Sequence, residues 1–166
     1  MALAIGAADS TIPAIGVDNV SGARMAAKHL IELGHRRLAI LGTSMSETGR
    51  GRRTESEVLA ATYSTSRDRA IGYWKALDGA GIARDSVPVY ETREDEASTH
   101  AVMAEMFAAA APPTAILAMS DKIAMYAVDW LFRSGRTVPD DVSMVGFDGV
   151  PESAVATPKL TTIAQP

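Results

Sequence analysis

The stretch that decides the fold is PTAILAMSDKIAMYAVDWLFRSGRTVPDDVSMVGFDG, from Pro113 to Gly149. Residues Thr114 to Met119 form a short apolar run, which is typical of a strand buried on both faces. Apolar residues then recur at helical spacing until Gly135, which is a helix stop signal. A second apolar run, Val142 to Phe147, follows. The stretch therefore predicts a strand–helix–strand unit with two parallel strands.

Acidic residues stand at both strand ends of this unit. Asp121 follows the first strand, and Asp148 follows the second. Ligands of open parallel sheets bind beyond the carboxyl ends of the strands, so both residues are predicted to lie near a small-molecule site. Each has a structural alternative, because Asp121 can cap the following helix and Asp148 can form a turn before Val150-Pro151.

The rest of the chain repeats the alternation of strand and helix. This order predicts a doubly wound parallel α/β sheet with helices on both faces. The predicted strands are 14–17, 37–41 and 87–90, and the predicted helices are 20–33, 67–80 and 96–110.

The segment 43–66 stands apart because it is polar and has no sustained apolar period. It carries Arg50, Arg52 and Arg53, and it is long against the 2–6 residues usual for such connections. We favour a mobile, partly disordered surface loop with one short helical turn at 58–61. The alternative is a lid that contributes a basic residue to the site.

Composition excludes several classes of function. The net charge of −4 and the pI of 5.3 argue against a nucleic-acid-binding surface in this chain. No apolar run reaches the roughly 20 residues that span a bilayer, and the first residues do not form a signal peptide. The absence of cysteine fits a reducing cytoplasm. His29, His35 and His100 have no metal-ligand spacing, and the chain lacks a phosphate loop, so we expect no metal, no cofactor and no enzyme.

Four motifs in order carry a resemblance to a known family. They are the segment Ile12 to Gly42, the R-x-x-G-Y motif Arg69 to Tyr73, the stretch Pro113 to Gly149 and the final PKLTTIAQP, Pro158 to Pro166. Together they resemble the effector-binding domain of LacI/GalR-type transcriptional regulators, which has the fold of periplasmic binding proteins. His35, in Gly34-His-Arg, matches a G-H-R motif that we interpret as structural.

The resemblance implies a division of the chain. Residues 1–17 would be the end of an N-terminal subdomain and its crossover, and 18–157 the C-terminal effector-binding subdomain. Residues 158–166 would form the return crossover strand. Segment 43–66 is longer than usual in the family, so we expect an inserted loop. Because nothing resembles a helix-turn-helix, we expect the chain to be part of a longer regulator.

The resemblance also implies candidate ligand-binding residues. Arg69, which we place at the start of a helix, would contact the effector; its structural alternative is a salt bridge to Asp68 or to a neighbouring residue. Asp121 would face Arg69 and is preferred over Asp148, which we assign mainly to turn architecture.

Three further positions complete the expectation. Thr65 lies where related regulators use small polar groups, and Arg93 stands near a position that is often aromatic in the family. That departure favours an anionic or strongly polar effector. Asp18 is expected to cap the helix that starts near Val20.

The implied function is effector sensing in a cytoplasmic regulator. The effector would be a sugar or sugar acid, operator DNA would be bound through the missing helix-turn-helix domain, and the full-length protein would form a homodimer without a membrane contact. A periplasmic solute-binding protein is the first alternative, and a sugar- or nucleotide-processing enzyme is a remote one.

Overall fold

The computed structural model describes residues 16–47 and 49–165. Outside segment 43–66 the helices and strands alternate as the sequence predicts, and the ends of the predicted elements lie within about three residues of the expected ones. In chain order they are α1 (Asn19–Glu32), β1 (Leu38–Gly42), β2 (Gly51–Arg53), α2 (Glu55–Leu59), α3 (Ser64–Gly79), β3 (Val89–Glu91), α4 (Glu96–Phe107), β4 (Ala115–Ala118), α5 (Asp121–Arg133), β5 (Ser143–Asp148), α6 (Pro151–Val155) and β6 (Thr161–Ala164). A single 3-10 turn, Arg84–Ser86, precedes β3. Of the expected strand 14–17, residues 14 and 15 lie outside the described residues, and residues 16 and 17 are not in a strand.

One six-stranded sheet runs through the described residues, in the order β2-β3-β1-β4-β5-β6. All neighbouring strands are parallel except β2, which is antiparallel to β3. Helices α1 and α3 pack together, and α4 packs against α5. Across the sheet, the step from β1 to β3 runs in one direction, and the steps from β3 to β4 and from β4 to β5 run in the other. Because such crossovers are right-handed, the pair α1 and α3 lies on one face of the sheet and the pair α4 and α5 on the other. The predicted doubly wound α/β fold is confirmed.

Polar caps fix where the helices begin. Asp18 accepts a hydrogen bond from the Ser21 amide at 2.9 Å, so the predicted cap of α1 is confirmed. At α5 the cap is Ser120, whose hydroxyl accepts from the Ile123 amide at 3.3 Å. The alternative of Asp121 as N-cap is therefore wrong, because Asp121 is already the first helical residue. Its carboxylate is left for contacts outside the helix.

Gly72 explains why α1 and α3 approach so closely. A Cβ atom at this position would lie 2.3 Å from the carbonyl oxygen of Val20 and 2.7 Å from Ala23 Cβ. Only glycine leaves room for the α1 backbone here. This is the physical reason for the glycine of the R-x-x-G-Y motif, and the contact brings the first turn of α1 against Arg69.

The segment 43–66 is not the irregular loop that we favoured. Residues 51–53 form β2 on the sheet edge, and α2 follows with a capping box in which Thr54 and Glu57 exchange hydrogen bonds. The apolar pattern gave no signal because β2 is a three-residue polar strand held by its ladder with β3.

Helix α3 begins at Ser64, earlier than predicted, so Arg69 lies in its second turn and not at its start. Residues 64–68 are polar and show no apolar period, which is why the sequence placed the helix start too late. The expectation that Arg69 opens a helix is wrong, and the helix dipole is not what makes its position unusual.

Candidate ligand-binding site

Arg69 is the central cation at the carboxyl end of the sheet. Only 6% of it is exposed. Its Nε donates to Asn19 Oδ1 at 2.9 Å, and one terminal nitrogen donates to the carbonyl oxygen of Met119. The guanidinium lies 3.8 Å above the centre of the Phe147 ring, a cation–π contact. The contacts with Asn19 on α1, with the carbonyl after β4 and with the Phe147 ring together fix the direction of the Arg69 side chain.

Asp148 is the anion that pairs with Arg69. Its Oδ1 lies 3.2 Å from Arg69 Nη2 and accepts a hydrogen bond from Gln165 Nε2 at 2.6 Å. Its side chain keeps 30% exposure. Burial raises the pKa of Asp148, and Arg69 opposes that shift. Burial lowers the pKa of Arg69, and Asp148 opposes that shift in turn.

This pair keeps hydrogen-bonding capacity at the strand ends. An ionised carboxylate has about four acceptor sites, and a guanidinium has about five N–H donors. The contacts with Gln165 and Arg69 both reach Asp148 Oδ1, and the backbone amide of Asp121 also favours the charged form of this carboxylate, which lowers its pKa. A ligand that carries neighbouring hydroxyl groups could donate to Asp148 and accept from Arg69.

Asp121 lies at the same end of the sheet but is fully buried. Its Oδ2 accepts the amides of Gly149 and Val150, both at 2.9 Å, and its Oδ1 accepts the Thr162 hydroxyl at 2.5 Å. The sequence placed Asp121 opposite Arg69 as a ligand contact, and in the structure the chain itself occupies both oxygens of its carboxylate. The ion pair of Arg69 is with Asp148, because Asp121 turns toward the β5–α6 connection and β6.

Thr65 and Arg93 lie further along the same edge. Thr65 is half-buried in the first turn of α3, beside Ser66, whose hydroxyl lies 2.8 Å from Thr43 Oγ1 at the end of β1. Arg93 is exposed and follows β3. β3 and β5 are separated by β1 and β4, so Arg93 follows a strand about 14 Å from that of Asp148. The structure therefore brings Arg69 and Asp148 together and leaves Thr65 and Arg93 as outer positions.

Glu91 is a buried carboxylate that the sequence analysis missed. Its Oε1 accepts the amides of Met45 at 2.7 Å and Ser46 at 2.9 Å, and its Oε2 accepts from Arg53 Nε at 2.6 Å. It thus ties the segment after β1 and strand β2 to the end of β3. No pattern in the sequence indicated this contact, since Glu91 ends a three-residue strand among other charged residues.

Three other residues of the site do stand in the motifs that carry the resemblance. Asn19 follows Asp18, Phe147 precedes Asp148, and Gln165 precedes the final proline. Their positions beside predicted strand and helix ends could have marked them. Their side-chain directions could not be read from the sequence.

Two other features lie away from this edge. A cavity of 410 Å³ is lined by β2, α2, Trp74, Arg84 and the start of β3. Glu96, His100 and Asp129 come within 4.8 Å of one another on α4 and α5, although the sequence showed no metal-ligand spacing. Arg133 Nε lies 2.7 Å from Asp129 Oδ2 and Arg133 Nη2 lies 3.9 Å from Glu96 Oε1. The cation of that cluster is therefore a guanidinium.

A membrane span is absent from the described residues, in which every helix is too short or too polar to cross a bilayer.

The described residues form a mostly parallel α/β sheet whose polar residues gather at its carboxyl end, which is where proteins of this fold class bind ligands. The model of the periplasmic binding protein-like domain matches residues 27–166. The chain belongs to this family, and within it to the LacI/GalR type.

Curated relatives and solved structures agree with this assignment. The chain is 33% identical to the HTH-type transcriptional regulator Rv3575c of Mycobacterium tuberculosis, over 95% of the chain and 44% of the relative. It is 34% identical to the HTH-type transcriptional repressor CytR of Escherichia coli, over 93% of the chain and 41% of the relative.

A LacI-family regulator from Corynebacterium glutamicum superposes with a TM-score of 0.87 at 30% identity, over 95% of this chain and 46% of that one. A LacI-family regulator from Enterococcus faecium with bound ribose gives 0.71 at 27% identity, over 90% of this chain and 49% of that one. These relatives are transcriptional regulators and not enzymes. The chain spans less than half the length of the curated relatives.

Proposed function

We propose that this chain is the C-terminal lobe of the effector domain of a LacI/GalR-type regulator, and that it binds a small polar ligand against the Arg69–Asp148 pair. One observation carries the proposal. A buried arginine and a partly exposed aspartate meet 3.2 Å apart at the carboxyl end of the sheet, where ligands of parallel sheets bind. Residues 18–157 would form this lobe, and 158–166 would return the chain to a second lobe across the cleft.

The chemistry of the pair favours a ligand with several hydroxyl groups. Asp148 Oδ2 accepts hydrogen bonds and the remaining Arg69 N–H groups donate them, which matches a sugar or a sugar acid. The ribose bound to the Enterococcus faecium regulator supports the sugar class.

Arg93 and Thr65 extend the proposed site outward. A ligand that reaches from Asp148 toward Arg93 must bridge about three strand spacings, or about 14 Å. A monosaccharide is shorter than that, so contact with Arg93 implies a longer ligand, such as one with an anionic group on an extended arm. Asp121 was also a candidate. It would support the site by binding the backbone amides of Gly149 and Val150, and not by contacting the ligand.

The signal would pass to operator DNA through a helix-turn-helix domain of the longer, cytoplasmic protein. Ligand binding between two lobes would change their relative angle, and a homodimer would convert that angle into the spacing of its DNA-binding heads. Phe132 on α5 and Val155 on α6 support a protein contact, since they are 77% and 80% exposed. Phe132 lines the groove beside Pro158 and Leu160.

The test is operator binding by the full-length regulator, with and without a panel of pentoses, hexoses and sugar acids. Arg69→Ala should abolish the response to the ligand while operator binding stays measurable, because the guanidinium fork is lost. Arg67→Ala is the matched control, since Arg67 lies on the same helix, is partly exposed and pairs with Asp68. A wild-type response in Arg69→Ala at the same ligand concentration would show that the assignment is wrong.

A further inference from the structure

Resting on the proposed function, we propose that Asp121 is a positioning residue: it holds the backbone of Asp148 in a strained conformation, so that the Asp148 carboxylate faces Arg69 and the ligand. This replaces the direct ligand contact that the sequence analysis expected of Asp121. The proposal follows from the backbone at Asp148, the donors around Asp121 and the space that glycine leaves for its carboxylate.

The backbone at Asp148 is in a region that L side chains rarely adopt. Its φ is +124°, and that of the following Gly149 is +73°. Such conformations persist only where the surrounding structure holds them in place. The next two amides, of Gly149 and Val150, both point at Asp121 Oδ2 at 2.9 Å. Successive backbone amides around one anion are a recurrent arrangement, and here the anion belongs to the chain itself.

The position of the Asp121 carboxylate is fixed from two further sides. On β5, a Cβ atom at residue 146 would lie 2.2 Å from Asp121 Oδ1, so Gly146 leaves the room that the carboxylate needs. On β6, the Thr162 hydroxyl donates to the same oxygen at 2.5 Å. Asp121 is fully buried between these segments, so its surroundings are protein atoms.

Two side-chain contacts connect the end of the chain to these two carboxylates. Thr162 of β6 binds Asp121, and Gln165, just beyond β6, binds Asp148. The turn after β5 and the strand after it are therefore held by two carboxylates with different tasks. Asp121 sets the backbone, and Asp148 presents an oxygen at the site.

Amide hydrogen exchange of Gly149 and Val150, measured by NMR in the free protein, tests the positioning role without any ligand. Asp121→Ala removes the common acceptor, and both amides should exchange about tenfold faster or more, because a hydrogen bond to a charged group is lost. Asp121→Asn should stay within about threefold of wild type. Its carbonyl oxygen can accept both amides while its NH₂ donates to the Thr162 hydroxyl, which then acts as acceptor.

Asp141→Ala is the matched control, since Asp141 is exposed and accepts the Thr137 amide at 2.7 Å in a different turn. It should leave the exchange of Gly149 and Val150 unchanged. If Asp121→Ala does not fold, Thr162→Val gives the answer in its place. Removing the donor to Oδ1 should release the carboxylate and speed both amides, though less than the alanine variant. Unchanged exchange in whichever variant folds would overturn the proposal.

A ligand titration separates this proposal from the proposed function. With D-ribose as the probe on the full-length protein, Asp148→Asn should weaken binding at least tenfold, and Asp121→Asn should leave it within about threefold of wild type. Equal losses in both variants would make Asp121 a direct ligand contact and overturn the positioning role. If wild type binds neither ribose nor the other sugars of the panel, the proposed function fails, while the exchange of Gly149 and Val150 still decides the role of Asp121.

Discussion

The two ends of the sheet hold polar residues of different kinds. At the amino end, His35 lies between β4 and β5, with Nδ1 2.9 Å from Thr114 Oγ1 and Nε2 2.9 Å from Ser143 Oγ. Thr114 donates its own hydrogen to the Arg37 carbonyl, so Nδ1 of His35 is the donor to Thr114, and Nε2 accepts from Ser143 when the ring is neutral. Each nitrogen of the ring is matched, and the group is neutral.

The carboxyl end is charged and incompletely matched. Asp121 and Glu91 are fully buried carboxylates that each accept two backbone amides, and Asp148 keeps an oxygen beside Arg69. Neutral, satisfied contacts at one end join neighbouring strands. Charged groups with spare capacity at the other end are what a ligand site needs. Residues at the amino end therefore hold the strands together, whereas those at the carboxyl end include the groups that we propose for ligand binding.

The largest effect on stability is expected from the charged end, at Arg53. Arg53→Met removes the cation that pairs with the buried Glu91 and should lower the free energy of unfolding by about 3 kcal/mol, because a buried charge is left without its partner. Urea unfolding followed by circular dichroism measures the change.

Its matched control is Arg52→Met on the same strand, since Arg52 is exposed. That variant should stay within about 0.5 kcal/mol of wild type. Equal and small losses in both variants would mean that the Glu91 contact does not hold the segment after β1, and the contrast between the two ends would lose its clearest example.

The amino end should show a smaller effect that depends on pH. Burial lowers the pKa of His35 below its ordinary value of 6.5. The unfolded chain therefore binds a proton at His35 more readily than the folded one. The contribution of neutral His35 to the free energy of unfolding is complete above pH 6.5. It declines as the pH falls through 6.5 toward the lower pKa of the folded state. Urea midpoints between pH 7.5 and 5.5 should fall for wild type and fall less for His35→Gln.

His29→Gln is the control for this experiment, because His29 is exposed on α1 and, unlike His35, its ring makes no hydrogen bond to Thr114 or Ser143. It should keep the wild-type dependence on pH. If the urea midpoint of His35→Gln depends on pH as that of wild type does, His35 is not the cause of the pH dependence.

The sequence predicted most of the fold, because long apolar runs and helix stop signals are local features. The unit from β4 to β5 was visible in full, from the buried strand at Ala115–Ala118 to the turn at Asp148. Strand β2 was not, since its three residues gain their structure from the ladder with β3 and from Glu91. Its stability comes from contacts with residues far along the chain.

The sequence named the candidate residues of the site, but it did not show which of them contact one another. The motifs named Arg69, Asp121 and Asp148, and they ranked Asp121 above Asp148. The amides of Gly149 and Val150 donate to Asp121, which leaves Asp148 as the carboxylate with more exposure. Which of the two carboxylates receives these amides depends on the path of the turn after β5. A residue pattern can place a carboxylate at the end of a strand. It cannot show whether donors of the chain itself already bind the oxygens of that carboxylate.

Chemical-shift mapping by NMR tests the central claim most directly, in the full-length protein titrated with D-ribose and then with the sugar acids of the panel. We expect the largest shifts at Arg69, Asp148 and Gln165, with a change at Arg93 only for ligands that carry an extended anionic arm. Shifts confined to the cavity beside Trp74 and Arg84, or no shifts at the carboxyl end with any member of the panel, would contradict the claim.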